Sequence, residues 1–290
     1  MKIISTLMLY FISLSIQARV DLPLVPKVIY GADDRIDLYQ TSDNLLKQFS
    51  LSIAAQIPNE KLIKKGDQFI LEPTSLNQSG VCKSERFANQ PIAADCSGFL
   101  VAPDLLVTAG HCFKTLSDCK ENYWVFDYAN FSQEKSQFSF KSNQLYRCTN
   151  LVAHTFGMVD KNDYSVVKLD RVVEGRIPLN IRKSGKVEND ASLVVIGYPS
   201  GLPLKIIPSF DIRDNSNNIF FTVNSDTYSG SSGAAVINTK TSLVEGILVR
   251  GDLDYIQSLN DSCRISNRKE NSSGRGEDII RITTIPELMH

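Results

Sequence analysis

Apolar residues from position 99 onward fall in short runs separated by polar and glycine-containing turns, at 99–107, 123–128, 164–169, 192–197, 219–223, 234–237 and 243–249. Runs of this length, rich in Val, Ile, Leu, Phe and Tyr, predict β-strands. Their repetition predicts an all-β sandwich or a pair of barrels. One segment departs from this pattern: Leu45, Leu46, Phe49, Ile53 and Ile57 recur at helical spacings after Thr41-Ser42-Asp43, a candidate N-cap. A helix over roughly 43–57 is therefore expected, or else a surface segment packed on a barrel. The polar stretch 264–278, which holds Ser272-Ser273-Gly274-Arg275-Gly276, reads as a mobile loop. No internal repeat is visible.

The chain begins Met1-Lys2, continues with an apolar run from Ile3 to about Ile16, and reaches Gln17-Ala18-Arg19. A positive start, an apolar run too brief for a comfortable membrane span and a small residue at Ala18 predict a signal peptide over 1–18. No later run approaches the ~20 apolar residues of a spanning helix. The 290 residues are 42% apolar and 22% charged, which suits a globular chain with a sizeable core. A formal net charge of -1 gives no field that would attract nucleic acid or an anionic membrane.

Cysteine usage agrees with export. Cys82, Cys96, Cys112, Cys119, Cys148 and Cys263 make an even set with no zinc-type spacing, so disulfides are expected. A Cys96–Cys112 bridge would close a loop worth roughly 3 kcal/mol on a chain-entropy estimate. The other four are expected to pair as Cys119–Cys148 and Cys82–Cys263, although the sequence itself does not choose among the possible pairings.

Only three histidines are present. His290 is the terminal residue, and His154 follows Leu151-Val152-Ala153 with no serine or glycine motif beside it. His111 is different. It follows a strand-like run, a turn at Pro103-Asp104 and a second apolar run, with small Ala109 and Gly110 just before the imidazole. Asp163 opens the run at 164–169, where a carboxylate could be buried behind an imidazole and hold its Nδ1 proton; Asp160 and Asp170 are rivals in poorer contexts. The segment Gly230-Ser231-Ser232-Gly233 can form a tight turn that exposes a hydroxyl and aims backbone N–H groups at one point. Ser232 is the expected nucleophile, with the Gly230 and Ser232 N–H groups as oxyanion hole. A Ser/Gly-rich turn alone is usually a loop, and the histidine and aspartate motifs ahead of it change that reading.

The motifs Thr108-Ala109-Gly110-His111-Cys112, Asp163-Tyr164-Ser165-Val166-Val167-Lys168-Leu169 and Gly230-Ser231-Ser232-Gly233 resemble those of the chymotrypsin/trypsin-like serine peptidases over roughly residues 90–252. The resemblance implies two packed six-stranded antiparallel β-barrels with the His111, Asp163 and Ser232 triad at their junction. It implies an N-terminal arm and first barrel over 28–165, and a second barrel and C-terminal tail over 166–290. It further implies a secreted monomeric endopeptidase acting on proteins or peptides through an acyl-enzyme, with no metal and no cofactor. A catalytically silent relative that binds through the same fold is the rival reading. An esterase is the other, but the strand-turn-helix elbow of α/β-hydrolases is missing around Ser232.

Several positions depart from the family pattern. Ser231 stands where trypsin has an aspartate that pairs with a newly released N-terminal amine. Val28-Ile29-Tyr30-Gly31-Ala32-Asp33-Asp34-Arg35 resembles the mature start of the bacterial glutamyl endopeptidase branch, which implies a propeptide over 19–27 removed after Lys27. Asp226 matches the acid that binds basic substrate residues, Thr227 matches a hydroxyl residue of the glutamyl branch, and Gly251 ends a strand resembling the pocket wall. Leu248 stands where that branch has histidine, which argues against glutamate preference. Arg250 either neutralises Asp226 or points to solvent, and the second placement favours a basic P1 residue. Val249 replaces a serine that helps to hold the aspartate in many relatives. Another donor, such as the backbone around His111, must then satisfy Asp163.

Overall fold

In the computed structural model, residues 29–290 are described except 73, 114, 116 and 158–160. The expected signal peptide and propeptide, and Val28, therefore lie outside the described residues, as does Asp160. The strands Leu145–Phe156, Asp163–Leu169, Leu105–Thr108, Cys96–Ala102, Ile53–Pro58 and Asn122–Phe126 pair in that order and close into a barrel. Six of the seven apolar runs read from the sequence coincide with single strands to within a residue or two, and the run 99–107 is a hairpin turning at Pro103-Asp104.

The second sheet runs Ile212–Asp214, Phe220–Val223, Glu277–Arg281, Leu243–Arg250, Ala235–Asn238, Leu193–Gly197, Lys205–Phe210 and Ile36–Asp37. This eight-stranded sheet forms a half-barrel, the second barrel of the fold, and only Asp211 separates Lys205–Phe210, next to one end of the ladder, from Ile212–Asp214 at the other. The fold is the expected all-β pair of barrels, with Ile36–Asp37 of the N-terminal arm added to the second. Asp163–Leu169 belongs wholly to the first barrel, so the boundary lies beyond Leu169 and not at 165/166.

Alternation along each strand explains where the core sits. Leu193 and Val195 point into the second barrel with Ile207, Phe221 and Leu248, while Val194 and Ile196 point into the large cluster that also holds Phe99, Val107 and Tyr128 of the first barrel. Strands that bury both faces read as continuous apolar runs. Each fully buried Val, Leu or Ile contributes about 2 kcal/mol by area, and the shared cluster locks the two barrels at one relative position.

The early helix is shorter than expected, Asn44–Ser50, although Asp43 is its cap and accepts from the N–H groups of Leu45 and Leu46 at 2.8 and 3.3 Å. Ile53, Ala55 and Ile57 belong instead to a central barrel strand whose same face enters the core. A spacing of four fits a strand of period two as well as a helix, which is why the pattern misled. The stretch 264–278 is also more structured than expected. Arg264–Ser266 pairs with Tyr255–Gln257, Arg268–Lys269 pairs in parallel with Ile29–Tyr30, and Cys263 is bonded to Cys82. Cys96–Cys112 and Cys119–Cys148 are the other bridges. Among the described residues no helix is long and apolar enough to cross a membrane.

Candidate active site

His111 lies in a short turn, Gly110–Cys112, that follows the strand Leu105–Thr108. A Cβ on Gly110 would come within 1.9 Å of the Thr155 carbonyl, so only glycine lets the turn press against the strand Leu145–Phe156. Asp163 is the first residue of its strand and is fully buried. Its Oδ1 accepts from the His111 N–H at 3.0 Å, and its Oδ2 lies 2.9 Å from His111 Nδ1. The backbone donor expected in place of a serine at 249 is thus the N–H of His111 itself. Burial resists ionisation of Asp163, but the hydrogen bonds and charge of His111, helped by Arg250, outweigh it and hold the carboxyl below its ordinary range.

The Ser232 turn comes from the second barrel and is clamped to the first through Ser97. The Ser97 N–H donates to the Ser232 carbonyl at 2.7 Å, its hydroxyl donates to the Gly230 carbonyl at 2.8 Å, and its own carbonyl accepts from Thr108 Oγ1 at 2.6 Å. Next to Ser97, Cys96 is bonded to Cys112, the residue after His111. One short segment therefore fixes the histidine turn and the serine turn together. Gly230 and Gly233 have φ of 93° and 88°, and side chains there would run into the Tyr198 carbonyl at 2.5 Å and the Ser97 carbonyl at 2.0 Å. The Gly233 N–H donates to the Leu248 carbonyl at 2.8 Å, tying the turn to the strand Leu243–Arg250. Ser231 is fully buried, and its hydroxyl has no hydrogen-bond partner among the described residues.

A histidine bonded to a buried carboxylate, with a glycine-flanked serine turn fastened to the same strand pair, matches what the sequence comparison finds. Residues 96–247, just over half of the chain, match the trypsin-like peptidase domain. The chain belongs to that family. It is a serine endopeptidase. Among solved structures, a Glu endopeptidase in complex with MPD aligns with a TM-score of 0.50 at 16% identity, covering 90% of this chain and 97% of that one. The Vibrio cholerae VesB protease aligns with a TM-score of 0.52 at 12% identity, covering 90% of this chain and 66% of that one. Identities this low establish a shared fold and nothing finer. No curated protein matches the sequence.

Around the serine turn of this peptidase, Asp226 is held by the N-terminal arm. Its carboxylate accepts from the N–H groups of Tyr30 at 2.7 Å and Asp34 at 3.3 Å. Burial, with the neighbouring Asp34 charge adding to it against these bonds, pushes its pKa up to about 7. Arg250 takes neither of its expected placements. It bonds Asp278 Oδ2 from Nε at 3.3 Å, the Lys161 carbonyl from Nη2 at 2.9 Å and Asp163 Oδ2 from Nη1 at 3.5 Å, and so leaves Asp226 alone.

Glu277 was not singled out by sequence reasoning. It is fully buried, accepts from Thr227 Oγ1 at 2.6 Å and from the Asp252 N–H at 3.3 Å, and lies where a Cβ on Gly251 would meet its carboxylate at 2.0 Å. It brings an acid to Thr227 and Gly251, two positions expected to line the substrate pocket. Its only sequence signal was a charge opening an apolar run. Of the other candidates, His154 Nδ1 lies 2.8 Å from Ser165 Oγ, and Asp170 accepts from the Arg147 N–H and from Arg171.

Proposed function

We propose that the peptidase works through His111, Asp163 and Ser232. His111 Nε2 takes the Ser232 hydroxyl proton as Oγ attacks a peptide carbonyl, and the Gly230 and Ser232 N–H groups receive the oxyanion. His111 then passes the proton to the departing amine, and water activated by the same imidazole hydrolyses the acyl-enzyme. Asp163 orients the imidazole and stabilises its charged form in the transition state. One observation carries this reading: the fully buried Asp163 engages both the ring and the backbone of His111, at 2.9 and 3.0 Å, beside a serine turn bonded to Ser97. The oxyanion donors are the most valuable part energetically, since losing one typically costs ~3 kcal/mol of transition-state stabilisation.

The proposed substrate is a protein or peptide with a basic P1 residue, met outside the cytoplasm. The three disulfides support an oxidising compartment. Two buried acids support the basic preference, Asp226 six residues before Ser232 and Glu277 against Thr227 and Gly251. Glu277 is the stronger determinant of the two. Asp226 already serves two arm N–H groups, and burial resists its ionisation.

A peptide-library cleavage profile tests the preference. The wild type is expected to cut after Arg or Lys, and Glu277→Gln to lose at least about tenfold in kcat/KM on those peptides relative to peptides with neutral P1 residues. Cleavage after acidic residues, or an unchanged preference in Glu277→Gln, would contradict it.

A further inference from the structure

We propose that Arg250 is a positioning residue for Asp163, one that shares the carboxylate with His111 and so sets the charge that the carboxylate presents to the imidazole. The inference rests on the triad reading above but concerns a residue that the triad does not include. Among the described residues, the charged side chains that reach Asp163 are His111 and Arg250, both on Oδ2, at 2.9 and 3.5 Å. The carboxylate is fully buried and only 17% of the Arg250 side chain is exposed, so water screens the pair weakly.

Arg250 is anchored at both ends of its guanidinium. Nε meets Asp278 on the strand Glu277–Arg281, Nη2 meets the Lys161 carbonyl just before Asp163, and the group lies 6.0 Å from the Phe220 ring centroid. These contacts hold Nη1 toward Asp163.

The electrostatic consequence follows from which charges face the pair. A carboxylate alone stabilises an imidazolium by its full charge, whereas one already facing a guanidinium offers less and adds a second cation nearby. Asp278 offsets part of the Arg250 charge but is also bonded by Arg275 at 2.6 Å. Lys161 holds its ammonium 5.5 Å from the Phe220 ring centroid, which adds further positive charge on this side. His154 is bonded to Ser165 and brings no acid to the pair. The positive charge on this side therefore tempers the carboxylate that His111 faces.

The test compares the pH dependence of kcat/KM for the full-length processed protein with Arg250→Gln and Arg250→Lys, alongside a ring-proton NMR titration. With three histidines in the chain, the His111 signals are readily assigned, and His154 reports on the fold. Arg250→Gln is expected to move the acid limb and the His111 titration upward by about one pH unit, the effect of a unit charge a few ångströms away at an effective dielectric constant of some tens. Arg250→Lys is expected to restore both toward the wild-type position. A limb that stays in place or moves downward in Arg250→Gln overturns the proposal.

Should the glutamine variant not fold, Asp278→Asn removes the acid that competes for the guanidinium. It is expected to shift the limb downward, and an upward shift contradicts the inference. A His111 titration that moves as expected in a protein that cleaves nothing would sustain the Arg250 inference while refuting the catalytic reading.

Discussion

Gly233 shows how tightly single residues are specified around the serine. Its φ of 88° disfavours any L side chain, and a Cβ there would lie 2.0 Å from the Ser97 carbonyl and 2.2 Å from Thr108 Oγ1. Both atoms belong to the segment that also fixes the histidine turn. Gly233→Ala is therefore expected to destabilise the fold by about 3 kcal/mol, from backbone strain and overpacking together. It should also lower kcat/KM at least about a hundredfold, because the turn must shift away from His111. Chemical denaturation and a peptide assay check this, and a variant equal to the wild type in both would contradict it.

The glycine, serine and histidine motifs proposed to form the site could be read in the sequence because they are local. The contacts of Arg250 and Glu277 could not. Their partners Asp163, Asp278, Thr227 and Asp252 lie mostly far along the chain and meet only once the strands Leu243–Arg250 and Glu277–Arg281 pair.

The N-terminal arm is the element that sequence patterning described least. Its short strands Ile29–Tyr30 and Ile36–Asp37 pair with Arg268–Lys269 and Lys205–Phe210, and Asp226 is held by Tyr30 of the first strand and by Asp34 between the two. Arg35, almost fully buried, pairs with Asp33 and lies 4.3 Å from the Tyr228 ring centroid, four residues before Ser232. The arm thus supports the segment that leads into the serine turn.

Ionisation of Asp226 opposes this arrangement. Its pKa rises from 3.8 to about 7 in the folded protein, so its contribution to stability is fully present below about pH 4 and is lost as pH rises through 7. By linkage the loss reaches about 4 kcal/mol at most. Urea unfolding should show Asp226→Asn to have a flatter stability profile than the wild type between pH 4 and 8. Parallel profiles would show that Asp226 ionises in the fold as it does in the open chain.

Strands were the most legible elements because two-sided burial leaves unbroken apolar runs. The helix Asn44–Ser50 was overextended because the spacing of Ile53 and Ile57 serves either geometry. The tail was underestimated because the bonds that order 264–278 run through backbone pairing and the Cys82–Cys263 bridge, neither of which leaves an apolar pattern.

For the whole molecule, the site is a product of how two barrels meet. His111 and Asp163 come from the first and Ser232 from the second, and a single buried cluster containing Phe99, Val107, Tyr198 and Ala235 spans both. Tyr128 and Tyr198 stack at 5.8 Å within it. Lys205 of the second barrel reaches Asp37 at 2.7 Å and Gln90 at 2.7 Å, while Asn130 also donates to Asp37. These contacts fix the relative position of the barrels, and with it the approach of serine to histidine. The family match establishes a serine endopeptidase; that Ser232 is its nucleophile is the proposal.

Covalent labelling with an active-site fluorophosphonate tests that most directly, since the reagent needs an activated serine and no knowledge of the substrate. The processed wild type is expected to take up one equivalent at Ser232, and Ser232→Ala to take up none. Equal labelling of both proteins, or a folded and processed wild type that does not react, would contradict the account.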